Sequence, residues 1–181
     1  MSIAASFSFK LLMVALTAGI YLLTATDLDP STEGIIEVPA AFNPDKLSIL
    51  QVMSGKGVQV YACARHPAGA TGWAFKAPDA QLFDMQNKPI GKHYAGPTWE
   101  DLDGGKVVGA VRTSIPASLD NAIPWLLLDV KSHQGSGAVT QARAIVRMET
   151  TGGAAPDDGC DEPRTGQEVR VGYTAIYVFL K

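Results

Sequence analysis

GVQVYACAR, residues Gly57–Arg65, decides the fold class. Val58, Val60, Ala62 and Ala64 fall on one side of an extended chain, and Gln59, Tyr61 and Cys63 on the other. A period of two is the mark of a β-strand, whose successive side chains point to opposite faces. Both faces are fairly apolar here, so the strand is expected in the middle of a sheet.

Similar stretches lie on both sides of it. LSILQVM (Leu47–Met53) reads as a strand that SGKG breaks before GVQVYACAR begins. WAFKAP and AQLFDMQNKPIG suggest two short strands, with MQNKP as the turn between Phe83 and Ile90. Asp103-Gly104 is a hairpin signal ahead of a strand over Val107–Arg112. Trp125–Lys131 follows Pro124 as a strong strand. ARAIVRMET sets Ala142, Ala144, Val146 and Met148 against Arg143, Ile145, Arg147 and Glu149, and EVRVGYTAIYVFL closes the chain.

Turn formers fill the gaps. IIEVP suggests a short edge strand ended by Pro39. PAAFNPD (Pro39–Asp45) is a loop in which Asn43 initiates a turn before Pro44. HQGSGAV is a glycine-rich turn, and TGGAAPDDGCDEPRTGQ a long loop. About ten short strands with such punctuation predict an all-β, single-domain antiparallel sandwich or barrel with long loops.

The first residues differ from the rest. Lys10 precedes LLMVALTAGIYLLTA, an unbroken apolar or small run to Ala25. One positive charge before a short apolar core predicts a signal peptide over residues 1–26, cut near Ala25 or Thr26. The alternative, a retained membrane anchor, wants about 20 apolar residues, and this run is shorter. Residues 27–34 read as a flexible arm and 35–181 as the domain. The chain is thus expected to be secreted or periplasmic, with no stable membrane span after cleavage.

Composition narrows the function classes. A hydrophobic fraction of 46% and a charged fraction of 18% suit one domain of 181 residues with a sizeable core. The formal net charge is −3 and Lys and Arg form no stripe, which argues against nucleic acid as a partner. In an oxidising compartment the two cysteines, Cys63 and Cys160, are most simply one disulfide.

Signatures of familiar chemistry are absent. GSG at Gly135–Gly137 has Thr140 where a dinucleotide loop needs its third glycine, and no helix follows. DLDGG resembles the start of a calcium loop without the later ligands. The acidic cluster Asp157, Asp158, Asp161 and Glu162 reads as a solvated loop before it reads as a cation site. His66, His93 and His133 stand in three separate turns or strand ends. No metal and no cofactor is expected.

HYAGPTWED (His93–Asp101) holds the densest chemistry. His93 with Glu100 or Asp101 could make a base oriented by a carboxylate, the basis of a hydrolase or lyase reading. No serine or cysteine stands ready as a nucleophile, so an enzyme is the less favoured reading. Trp73, His93, Tyr94, Trp99 and Glu100 are instead expected to line a groove for a carbohydrate or other small polar ligand. A third reading makes the segment a buried staple with Trp99 in the core.

GVQVYAC, Trp73-x-Phe75, HYAGPTWED, DGGKVVG, IPWLLL, TGGAAPDDGCD and RVGYTAIYVFL occur in this order. Over roughly residues 35–180 the chain resembles the DUF3455 family, a domain of unknown function in secreted bacterial and fungal proteins. Gly172 stands where that family often has proline, and DGG where it has DGS. The resemblance implies an exported β-rich single domain and brings no activity with it; the preferred reading of the residues is a binding or envelope-associated module. Some proteins resembling this domain carry a malate dehydrogenase label. This sequence has no Rossmann fingerprint and no strand-helix alternation, so a nicotinamide-dependent dehydrogenase is excluded.

Overall fold

The computed structural model describes residues 36–67 and 69–181; the expected signal peptide and arm lie outside the described residues. Eight strands follow one another around a closed antiparallel barrel. They are β1 (Ile49–Arg65), β2 (Thr71–Phe83), β3 (Pro89–Tyr94), β4 (Thr98–Asp101), β5 (Lys106–Ile115), β6 (Trp125–Gln134), β7 (Ala144–Gly152) and β8 (Glu168–Leu180). Of the two architectures expected, the barrel is the one formed. Closure gives every strand a neighbour on both sides, although β2 before Ala80 meets none on its β3 side. β1, with its two apolar faces, pairs with β2 on one side and β8 on the other.

Three expectations need correction. SGKG does not break a strand: β1 runs through it for 17 residues. A Cβ on Gly55 would strike the Tyr177 ring, and one on Gly57 the backbone of Asp79 and Ala80. These glycines let neighbouring strands approach closely at the barrel's bends. WAFKAP and AQLF likewise form one strand, β2, with a bulge opposite Val60 and Tyr61. Pro78 is tolerated because β2 pairs with β3 only from Ala80 to Phe83. Proline survives in a sheet where its missing N–H has no ladder to join. Finally, residues 36–39 of IIEVP form no strand.

The interior holds Met53, Leu82, Trp99, Val107, Leu128, Ile145, Tyr173, Tyr177 and Phe179. One end is plugged by a 3-10 turn, Ala138–Gln141, which packs against β1, β4 and β5 and buries Val139 fully. Its entry is the GSG segment. Gly137 lies against the Asp101 carboxylate, whose Oδ1 accepts from Gly105 N at 2.8 Å. GSG and DLDGG are therefore two turns packed together.

The outside of the barrel has an apolar face too. Leu127, Val146 and Val178 stand side by side on β6, β7 and β8 and are buried. Phe42, fully buried, lies 6.3 Å from the Trp125 ring on this face. Its 3-10 turn, Ala40–Phe42, ends at Asn43, whose side chain brackets Leu47 with two 2.8 Å hydrogen bonds. Backbone bonds between Ser48 and Lys181 then tie the segment to the end of β8. Burying one such phenyl ring contributes roughly 1.5–3 kcal/mol.

The disulfide forms as expected. Cys63 of β1 is bridged to Cys160 in the β7–β8 loop, with Cα atoms 5.3 Å apart and a sequence separation of 97. Closing a loop of that length stabilises by about 4.7 kcal/mol in the chain-entropy model. Such bridges persist in oxidising compartments. Among the described residues no helix is long and apolar enough to cross a membrane.

Candidate functional site

HYAGPTWED is the β3–β4 hairpin, and its turn is Ala95-Gly96-Pro97, with Gly96 at φ +94°. The hairpin is the shortest part of the barrel wall. β4 pairs with β5 only through Lys106–Val108, and β2 before Ala80 has no partner on this side. Above the turn, β2 and β5 therefore face each other without strands between them. A cavity of about 330 Å³ lies behind this window. Phe75 and Val111 stand on its rim, both more than half exposed. Pro97 forms the sill, and His93, Trp99, Leu126 and Leu128 lie within.

The pleat divides the expected site residues. His93 pairs with Trp99 across the hairpin, and both face inward. Their rings stack at 4.2 Å, and Tyr177 packs edge-on against Trp99 at 5.6 Å. Lys92 pairs with Glu100 and the two face outward. There the Tyr94 hydroxyl donates to Glu100 Oε2 at 2.6 Å, and Lys106 Nζ lies 3.3 Å from the same oxygen. The Tyr94 hydrogen bond and the two lysines hold the Glu100 carboxyl below its ordinary pKa.

The five residues expected to share one groove thus occupy three places. His93 and Trp99 line the cavity, whereas Tyr94 and Glu100 lie outside. Trp73, opposite Cys63, donates its Nε1–H to the Asp158 carbonyl at 2.7 Å and covers the disulfide loop. The catalytic pairing of His93 with Glu100 or Asp101 is not formed. Glu100 is on the far side of the sheet, and Asp101 is turned to Gly105 and Gly137.

His93 Nδ1 lies 2.9 Å from the Thr98 carbonyl. A carbonyl only accepts, so Nδ1 carries the proton. Burial lowers the ring's pKa from 6.5 to about 3, and it stays neutral with Nε2 as an acceptor.

Three further polar residues, none of them expected from sequence, share this cavity: Gln59, Tyr61 and Arg147. Tyr61 donates to the Gly153 carbonyl at 2.6 Å, and burial raises its pKa. Gln59 is 2% exposed and lies beside the Tyr173 hydroxyl, yet its Nε2 makes no hydrogen bond of good geometry. Trp99, 1% exposed, leaves its Nε1 equally unpartnered. Arg147 donates from Nε and Nη2 to the single Pro124 carbonyl, at 3.0 and 2.8 Å. A lone polar residue among apolar strand neighbours was the only local signal for Gln59 and Arg147.

The remaining candidates have structural uses. His133 Nε2 bonds the Ala142 carbonyl at 2.8 Å, and His66 sits against Gly72 at the β1–β2 turn. Asp161 pairs with Arg164, and Glu162 with Arg65. No cluster of three or more His, Cys, Asp or Glu among the described residues is placed to hold a metal ion.

Comparison with curated proteins gives no match, nor does comparison with solved structures. The sequence profile of one family, described as "Protein of unknown function (DUF3455)", matches residues 44–181, which takes in all eight strands and both cysteines. The chain belongs to the DUF3455 family.

Proposed function

We propose that this protein binds a small, largely apolar molecule inside its barrel. One observation carries the reading: a side window opens on a cavity of about 330 Å³, and two of the polar residues that line it, Gln59 and Trp99, keep unpaired donors. Eight-stranded barrels are just wide enough to be filled by side chains or to hold one small ligand. Ligand sites of about this size are typically apolar with a few placed polar groups. A buried donor without an acceptor costs roughly 1–3 kcal/mol, and a ligand acceptor would remove that cost. Exposed Phe75 and Val111 at the rim suit the entry of an apolar body.

The neutral, solvent-sensitive dye 1-naphthylamine, small enough for the cavity, tests the reading with the full chain. Saturable binding with a blue-shifted emission is expected. Phe75→Asp, at an exposed rim position, should weaken it by up to roughly tenfold through loss of one aromatic contact. Absence of saturable binding would count against the cavity as a ligand site. Displacement of the dye by a free sugar would restore the carbohydrate reading.

A further inference from the structure

We infer that the ligand is a monocarboxylate with an apolar body, its carboxylate paired with Arg147. This rests on the cavity being a ligand site, and it adds the chemical class of the ligand.

Arg147 projects from the inner face of β7, between Leu126 of β6 and Tyr177 of β8. A guanidinium carries five N–H donors, and the Pro124 carbonyl takes only two of them. Among the described residues no carboxylate lies within ion-pair distance of it. The groups that do face it are the hydroxyls of Tyr61, Tyr173 and Tyr177 and the ring of His93. Burial keeps the tyrosines protonated and the histidine neutral, so none offers a negative charge. Asp79, on β2, is exposed and already paired with Arg170. A partly buried cation without an anion is costly, and an arriving anion relieves that cost.

The other free groups agree in kind. Gln59 Nε2 and Trp99 Nε1 are both donors without acceptors in residues that line the same cavity. A carboxylate accepts only, through as many as four lone-pair sites. One cation in the cavity matches one negative charge, which disfavours phosphates and dicarboxylates. The remaining lining, including Phe75, Val111, Ile123, Leu126 and Leu128, suits hydrocarbon. At about 30 Å³ per non-hydrogen atom, the volume that water occupies in the liquid, the cavity holds about eleven such atoms. A medium-chain aliphatic acid and a small aromatic acid share this chemistry.

Competition against 1-naphthylamine on the full chain distinguishes head group from body. Octanoate should displace the dye at concentrations roughly ten- to a hundredfold lower than 1-octanol, the strength of hydrogen bonds to a charged group. Arg147→Gln should erase that preference, read as the octanoate-to-octanol ratio so that any general change in dye affinity cancels, and Arg147→Lys should retain part of it. If Arg147→Gln does not fold, the octanoate-to-octanol ratio of the native chain decides alone. Equal displacement by octanoate and octanol, or a preference that survives Arg147→Gln, would overturn the head-group assignment and leave the cavity reading standing. No binding of dye, acid or alcohol would overturn both. Phenylacetate in place of octanoate sorts aromatic from aliphatic bodies, and a preference for either over its alcohol supports the assignment.

Discussion

The two faces of the β3–β4 hairpin sit in different solvents. Lys92, Tyr94 and Glu100 form a hydrated cluster outside, whereas His93 and Trp99, their immediate neighbours, lie stacked in a nearly water-free interior. Nine residues that look like one constellation in sequence are two, separated by the thickness of a sheet. The acid and the base cannot meet because they stand on opposite faces of the pleat. Density of reactive side chains in a strand pair is therefore no measure of an active site. What the inner face contributes is a wall of a cavity.

Removing the inner face should cost the most. Trp99→Ala deletes an indole packed against His93, Tyr177 and Phe179. The expected loss is about 3–5 kcal/mol, measured as a fall in the urea midpoint at constant slope. A loss below about 1 kcal/mol would erase the contrast between the faces.

Acid should separate them next. His93 is neutral in the fold, its pKa lowered from 6.5 to about 3, while the unfolded chain protonates near the ordinary value. Below pH 6.5 the unfolded state then binds one more proton than the native state, so stability falls with pH until the folded ring itself titrates. The slope is about 1.4 kcal/mol per pH unit, hence about 2 kcal/mol between pH 6.5 and 5. His93→Phe, which keeps a stacked ring, should flatten that part of the profile. An unchanged slope would mean that the inward histidine is not held neutral.

The smallest effect belongs outside. Glu100→Gln removes a carboxylate that Tyr94, Lys92 and Lys106 surround in water. The melting temperature should stay within about 3 °C of the native value, because exposed ion pairs add little. Dye binding should not change at all, and a loss of binding would tie the outer cluster to the cavity.

The fold was largely legible because period-two alternation marks several of the strands. GVQVYACAR, apolar on both faces, marked the strand that lies between β8 and β2. Glycine and proline were the misleading residues. Gly55, Gly57 and Pro78 read locally as breaks, but in a closed barrel they are where strands bend or lack a neighbour. The site was legible only in part. His93 and Trp99 were found through their conspicuous segment, while Arg147 was masked by its pattern. In ARAIVRMET the more apolar set, Ala144, Val146 and Met148, faces outward, where the barrel's outer apolar face is buried. Ile145 and Arg147 face in, while Arg143, just before the strand, is exposed. No local periodicity reports that inversion, because the cover is supplied by Phe42 from a hundred residues upstream.

The brevity of the hairpin also has an engineering meaning. Each residue added to both β3 and β4 would raise the sill by about 3.3 Å along the strands. The length of that hairpin is thus a dial on aperture, independent of the residues that choose the guest. Under the proposed function, lengthening or shortening this turn in the chain would change the bulk of the body that reaches Arg147.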